Sequence, residues 1–240
     1  MSQFTHDTDN SAPKRHQHHE PVLEYTSNDE VAVISVNGCK YRRSVCVIIM
    51  NDKGLFLGCR RCDNKRVLQF VQGGARRHES PQQTAERELF EEIGLPATYL
   101  RYAGEILPVT SGDEVRAAFR YTSKSWWKRG FTGQELYPLL YLAETEVIDK
   151  LHFRAIPGVR QEFCGAMWMK LEEFVRYCQP CKATAVSNIC TAVVSFAHLG
   201  FTNAAGSSLS EVDAPQGENV RDKETTPIKK RHWQRLQTQQ

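Results

Sequence analysis

The sequence predicts an α/β fold in which helices pack on a mixed sheet, and three observations carry that prediction. Short runs rich in β-branched and aromatic residues, bounded by turn residues, recur from Val31 to Met169. The segment Pro81 to Ile93 has the end signals and apolar spacing of an amphipathic helix. A later segment, Ala183 to Leu199, places Val186, Ile189, Cys190, Val193, Val194 and Ala197 at helical spacing.

The elements follow in chain order. Val31 to Val36 reads as a strand, Asn37-Gly38 as the hairpin turn after it, and Cys39 to Met50 as the returning strand. Asn51-Asp52-Lys53-Gly54 turns the chain back into a third strand, Leu55 to Arg61. Ser80 is the N-cap of the first helix: Pro81 takes a position that needs no donor, and Gln83 can close a capping box. Gly94 ends that helix, because glycine accepts the left-handed conformation of a helix stop. Further extended stretches are expected around Tyr99 to Pro108, Glu114 to Tyr121, Tyr137 to Ala143 and Met167 to Met169, with a short helix over Leu171 to Tyr177.

The first helix carries the chemistry. Ala85, Leu89 and Ile93 recur every four residues as an apolar face, while Glu88, Glu91 and Glu92, three and four residues apart, share another. Like charges at that spacing repel one another, and hard divalent cations between the carboxylates relieve the repulsion. Magnesium is the natural candidate, since it takes a few protein oxygens and completes its shell with water and substrate phosphate.

The acids also stand in a longer pattern. Gly73 is followed after five residues by Glu79 and after seven more by Arg87-Glu88-Leu89-Phe90-Glu91-Glu92-Ile93-Gly94-Leu95. This resembles the signature box of the Nudix hydrolase superfamily, with every defined position filled. The resemblance, which covers roughly Tyr41 to Phe196, implies an α/β/α sandwich with a mixed sheet, in a domain expected over residues 31–201. It gives metal coordination to Glu88, Glu91, Glu92 and the backbone carbonyl of Gly73, with Mg2+ as cofactor and Mn2+ as a substitute. It also implies an Arg87–Glu79 pair that fixes the loop to the helix.

Flanking residues narrow the branch. Tyr41-Arg42, Arg60-Arg61, Gln69-Phe70-Val71-Gln72-Gly73-Gly74, Gly133-Gln134, Glu162-Phe163 with Trp168, and Lys182 resemble the branch of RNA pyrophosphohydrolases and asymmetric diadenosine polyphosphate hydrolases. Leu68 and Val71 depart from its usual Trp and Pro, Glu135 replaces a basic residue, and Cys181 replaces an aromatic. The resemblance makes Arg42, Arg61, Lys182 and Gln134 substrate-binding residues and Glu162 the candidate base, with Glu92 its rival. Trp126, Trp127, Tyr121 and Phe131 could stack a nucleobase or simply pack.

Composition sets the frame. The chain has 240 residues, 40% hydrophobic and 25% charged, so it can bury one sizeable core, and a net charge of +3 does not by itself argue for nucleic acid. No apolar run reaches bilayer-spanning length, so no membrane partner is expected, and an intracellular, cytoplasmic protein is the default. Residues 1–30 and 202–240 are polar and charged and are expected to be disordered tails. The basic run Lys229-Lys230-Arg231 near the C-terminus is either a solubilising extension or a segment that contacts RNA or directs nuclear import. Eight cysteines include the spacings Cys59 to Cys62 and Cys178 to Cys181, too far apart in sequence for a paired zinc motif, so reduced thiols are expected. The branch alignment brings Cys62 and Cys181 to the pocket mouth as a candidate redox pair.

Three classes of function follow. The leading one is metal-dependent hydrolysis of a phosphoanhydride in a dinucleoside polyphosphate or at the 5′-triphosphate end of RNA. The others are pyrophosphatase action on another diphosphate, such as a nucleotide sugar, a dinucleotide cofactor or a pterin triphosphate, and non-catalytic RNA binding on the same fold. The oligomeric state is not legible in the sequence.

Overall fold

A computed structural model describes residues 22–25, 29–35, 37–109, 116–154 and 160–205, with side chains as far as Ala197. Ten strands form one sheet: β1 (Val22–Tyr25), β2 (Val31–Ile34), β3 (Lys40–Asn51), β4 (Phe56–Arg61), β5 (Leu68–Gln69), β6 (Val71–Gly74), β7 (Arg101–Glu105), β8 (Arg120–Thr122), β9 (Gly133–Ala143) and β10 (Phe163–Met169). Among the described residues four α-helices accompany it: α1 (Pro81–Ile93), α2 (Lys124–Trp127), α3 (Glu173–Tyr177) and α4 (Ala183–Ala205).

Strand β3 organises the sheet. One edge runs parallel to β9 for its whole length, from Tyr41 opposite Gly133 to Asn51 opposite Ala143. The other edge is shared in turn by β2, β6 and β4, all antiparallel. That single parallel pairing makes the sheet mixed. The local turns are those expected. Gly38 and Gly54 adopt positive φ of 72° and 75°, and Asn51 Oδ1 accepts from the amides of Lys53 and Leu55.

Two apolar layers flank the sheet, and the period-2 alternation of β3 assigns its residues to them. Cys46 and Ile48 join Phe174, Val186, Ile189 and Val193 of α3 and α4 on one face. Val45, Val47 and Ile49 join Ala85, Leu89 and Ile93 of α1 on the other. Leu89 and Ile93 are fully buried, which contributes about 1.5–3 kcal/mol each. At the ends of α1 the Ser80 hydroxyl accepts from the Gln83 amide, the Gln83 side chain accepts from the Ser80 amide, and Gly94 has φ 64°.

Several expectations need correction. Strand β1 lies inside the segment expected as a tail; it pairs with β2 while leaving Val22, Leu23 and Tyr25 exposed, so backbone pairing holds it and no burial pattern marks it. Helix α4 runs to Ala205, past the expected boundary; residues 1–21 and 206–240, including the basic run, lie outside the described residues. The stretch expected to be extended from Glu114 to Tyr121 holds a 3-10 turn at Ala117–Phe119, because Phe119 is drawn into the core and Asn188 of α4 donates to the Ala118 carbonyl at 2.8 Å. Strands β9 and β10 begin earlier than expected. Among the described residues no helix is long and apolar enough to cross a membrane.

Candidate active site

Arg87 is the hub of the acidic face of α1. Its Nε and Nη2 donate to the two oxygens of Glu79 at 2.7 and 2.9 Å, Nη1 donates to Glu88 at 2.5 Å and Glu91 at 3.1 Å, and Nη2 donates to the Gly74 carbonyl at 2.8 Å. One planar guanidinium thereby ties the loop before the helix, the helix and β6 together. Two glycines beside it lie in tight contact with the ends of charged side chains. A Cβ on Gly73 would fall 1.7 Å from Glu88 Cδ, and one on Gly74 would fall 1.8 Å from Arg42 Nη2.

A cleft of about 600 Å³ opens at the end of the sheet, lined by Arg42, Arg61, Arg129, Arg160 and Lys182. Its two lining carboxylates, Asp63 and Glu162, are both engaged by Arg61, which grips Asp63 through two 2.7 Å bonds and donates to Glu162 at 3.0 Å. Beside them Glu30 takes a 2.7 Å bond from Arg129 and lies 3.4 Å from Arg42, and among the described residues the five cations still outnumber these three carboxylates, which suits the cleft to a polyanion. Arg42 lies 4.8 Å over the Trp126 ring, and Arg129 lies 4.9 Å from the same ring. Buried Arg42 Nε and Glu30 Oε2 stand 3.4 Å apart without the alignment of a hydrogen bond. On the floor, the buried Tyr121 hydroxyl donates to Gln134.

Gln72 joins the acids to the cleft. Its amide N–H donates to Glu92 at 3.2 Å, and its side-chain oxygen accepts from Lys182 at 2.7 Å. Burial raises the pKa of Glu88 above the ordinary carboxylate value despite Arg87, and burial, helped by Glu162 and Glu88, pushes Glu92 well above it. Burial opposes charge on Glu79 too, but the Arg87 fork and the Arg76 amide hold it below the usual value. Lys182 is lowered by burial and by Arg61.

These residues fit a hard divalent cation. Glu88 and Glu92 are buried carboxylates whose ionised forms lack full compensation, the donors are all oxygen, and Gly73 leaves room where a side chain would intrude. Among the described residues no three His, Cys, Asp or Glu side chains already converge as a cage; Arg87 instead draws Glu79, Glu88 and Glu91 to itself.

The fold thus groups Glu79, Arg87, Glu88, Glu91, Glu92 and Gly73 at one place, and Arg42, Arg61, Lys182, Gln134 and Glu162 around the adjoining cleft. Trp127 stays exposed and Phe131 packs against Trp126, so of that aromatic group Trp126 and Tyr121 reach the cleft. Sequence reasoning missed Gln72 as a junction, Asp63 as the anchor of Arg61, and Arg129 and Arg160 as cleft cations. Gln72 stood inside the Gln-Gly-Gly run and could have been singled out; the two arginines lie in irregular segments with no periodicity to place them.

Residues 40–186 match the NUDIX domain family. This chain belongs to the Nudix family. Among curated relatives of this Nudix chain, an RNA pyrophosphohydrolase of Rhodospirillum rubrum is 31% identical over 112 residues, covering 42% of this chain and 66% of that protein. An RNA pyrophosphohydrolase of Hydrogenovibrio crunogenus is 46% identical over 85 residues, covering 35% and 50%. The chain thus spans at most about two thirds of the length of these relatives, and 31% of that of a further RNA pyrophosphohydrolase, from Proteus mirabilis. The solved structure of a C. elegans Ap4A hydrolase superposes with a TM-score of 0.46 at 14% identity, covering 65% of this chain and 97% of that one.

Proposed function

We propose that this Nudix protein hydrolyses a phosphoanhydride bond in nucleoside polyphosphates, either a dinucleoside polyphosphate or the 5′-triphosphate end of RNA, with Mg2+ or Mn2+ as cofactor. The observation that carries the reading is the junction at Gln72, where an oxygen-rich acid cluster and a cation-lined cleft share one residue. Glu88, Glu91, Glu92 and the Gly73 carbonyl would hold the cation, which supplies Lewis acidity toward phosphate oxygens.

The rest of the chemistry belongs to side chains. Lys182, Arg42 and Arg61 neutralise phosphate charge that builds up as water attacks phosphorus, with Arg129 and Arg160 extending that field along the cleft. Glu162, held by Arg61 at 3.0 Å, orients the water and takes its proton at a carboxylate oxygen. Glu92, fixed by the Gln72 amide, is the rival for that role. Arg87 and Glu79 position the helix. Trp126, with Arg42 and Arg129 against its ring, contributes aromatic surface to the cleft wall near where a base would lie. The names of the matched relatives favour the RNA end over the matched segment.

The test is turnover by purified protein with Mg2+ on diadenosine tetraphosphate, 5′-triphosphorylated RNA, NADH and ADP-ribose. Cleavage of the first or second, abolished in Glu92→Gln, is expected. Turnover of only NADH or ADP-ribose overturns the substrate class, and no turnover with Glu92→Gln indistinguishable from wild type overturns the enzymatic reading in favour of RNA binding alone.

A further inference from the structure

Two thiols beside the cleft play no part in the hydrolytic site, and the partner the structure gives Cys62 is Cys164 where the sequence suggested Cys181. Strand β10 pairs with β4 so that Phe163 faces Arg61 and Gly165 faces Arg60, and the register slips between Phe163 and Gly165. Cys164 is the extra residue of that bulge. Its neighbour Phe163 is fully buried, and Cys164 itself points to solvent, with its thiol leaning back toward the Arg61 carbonyl at 3.7 Å. Cys62, one residue beyond β4, continues the pairing: its amide donates to the Glu162 carbonyl at 2.8 Å. Cys62 and Cys164 therefore flank the Arg61–Glu162 pair diagonally across adjacent antiparallel strands, and both are exposed.

Of the other cysteines, Cys181 is also exposed and Cys39 is half-buried. Cys46, Cys59, Cys178 and Cys190 are buried and so out of reach of an oxidant in solution, and burial also pushes the thiols of Cys46 and Cys190 up to about 12. Loss of water around Cys62 and its hydrogen-bonding contact with Cys164 push the Cys62 thiol up. The neighbour that the fold supplies to Cys62 is thus Cys164, on the strand that carries Glu162 into the cleft.

We propose that Cys62 and Cys164 are an oxidation site at which a hydroperoxide drives formation of an intramolecular disulfide across β4 and β10. One thiolate attacks the outer peroxide oxygen, forming a sulfenic acid and releasing an alkoxide or hydroxide. The second thiolate attacks that sulfur, forms the S–S bond and expels hydroxide. The two thiol protons end on the leaving oxygens, so one hydroperoxide is reduced to alcohol and water while two thiols are oxidised to one disulfide. Diagonal positions on adjacent antiparallel strands lie farther apart than directly opposite ones, but the Cys62 and Cys164 side chains are already in hydrogen-bonding contact, so the two sulfurs stand close enough to join with a small local adjustment at the bulge. The bridge closes a ring through Arg61 and Glu162, whose ion pair links positions 101 residues apart, and so fixes both groups at one wall of the cleft.

The experiment is peptide mapping of the reduced full-length protein after treatment with stoichiometric hydrogen peroxide and alkylation under non-reducing conditions. A cross-linked Cys62–Cys164 peptide that dithiothreitol reverses is expected in wild type and in Cys181→Ser, and it should be absent in Cys164→Ser. The oxidised wild type should melt about 5 °C or more above the reduced form, a shift missing in Cys164→Ser. Cross-linking of Cys62 to Cys181, or full alkylation of both thiols while other cysteines are oxidised, overturns the proposal. Because the mapping does not depend on turnover, its failure leaves the hydrolase reading untouched, and failure of that reading leaves the mapping intact.

Discussion

Replacing Arg87 by Lys keeps the charge and removes the fork. Arg87 makes five hydrogen bonds, to both oxygens of Glu79, to Glu88, to Glu91 and to the Gly74 carbonyl. A single ammonium has three protons on one centre and cannot span Glu79 and the Gly74 carbonyl together. At least two of the five bonds are lost. Charge-assisted bonds of this kind contribute about 1.5–3 kcal/mol each, and partial exposure of Glu79 and Glu91 (19% and 22%) reduces that toward roughly 1 kcal/mol. Glu88, with a side chain only 10% exposed, keeps more of it. The sum is about 2–4 kcal/mol, equivalent to a fall of about 5–15 °C in melting temperature for a domain of this size. Release of Glu88 from its place against Gly73 shifts a proposed metal ligand by about 1 Å, which costs about 10²-fold in kcat/KM. Thermal melts in EDTA and kinetics with Mg2+ measure the two effects separately, and Arg87→Ala should be worse in both. A melting temperature within about 2 °C of wild type together with kcat/KM within about threefold would refute the claim that this guanidinium positions the acids.

Further outcomes follow from the same site. Gly73→Ala places a methyl on the Glu88 carboxylate and should lower stability by about 1–3 kcal/mol and kcat/KM by more than tenfold, read by chemical denaturation and initial rates; an unchanged pair of values would show that Glu88 moves freely. In EDTA, Glu92 has a folded pKa raised above its unfolded value, so the folded state binds the extra proton and stability falls as pH rises from about 4.5 through the folded value. Glu92→Gln should therefore be flatter across that window and more stable than wild type at pH 8 while losing activity, and Mg2+ should raise the wild-type melting temperature at pH 8 more than that of the variant. Lys182→Met deletes a buried cation that donates to Gln72, and should cut kcat/KM by about 10–100-fold with a folded spectrum retained; a loss confined to stability would assign Lys182 to packing.

What was legible in the sequence was what is local. Ser80, Pro81, Gln83 and Gly94 determine both ends of α1 through bonds made within a few residues, so its bounds were read to the residue. The Asn37-Gly38 and Asn51 to Gly54 turns were equally legible, since each is built from its own side chains and backbone. The Arg87–Glu79 pair followed from the box. Tertiary packing decided the rest. Phe119 is pulled into the core under α4, so its segment coils where propensity suggested a strand, and β1 owes its existence to an edge of β2 rather than to any apolar pattern. The cleft cations Arg129 and Arg160 come from irregular segments, and the Cys62–Cys164 approach depends on a bulge that no spacing rule announces.

The central position of β3 also orders events in time. Its turn into β4, the strand β6 and helix α1 close over short stretches of chain, so the acidic helix can dock as soon as it is made. Its parallel partner β9 comes later, and the contacts that complete the cleft come later still: Arg61 with Glu162 across 101 residues and Lys182 with Gln72 across 110. Closing such long loops costs entropy before any contact rewards it, which slows folding. On a ribosome the acidic helix would be finished well before Arg129, Arg160 and Lys182, the later cations of the cleft. Until β9 arrives, one whole edge of β3 stands open, and this nascent interval is where the protein is most exposed to strand-to-strand aggregation.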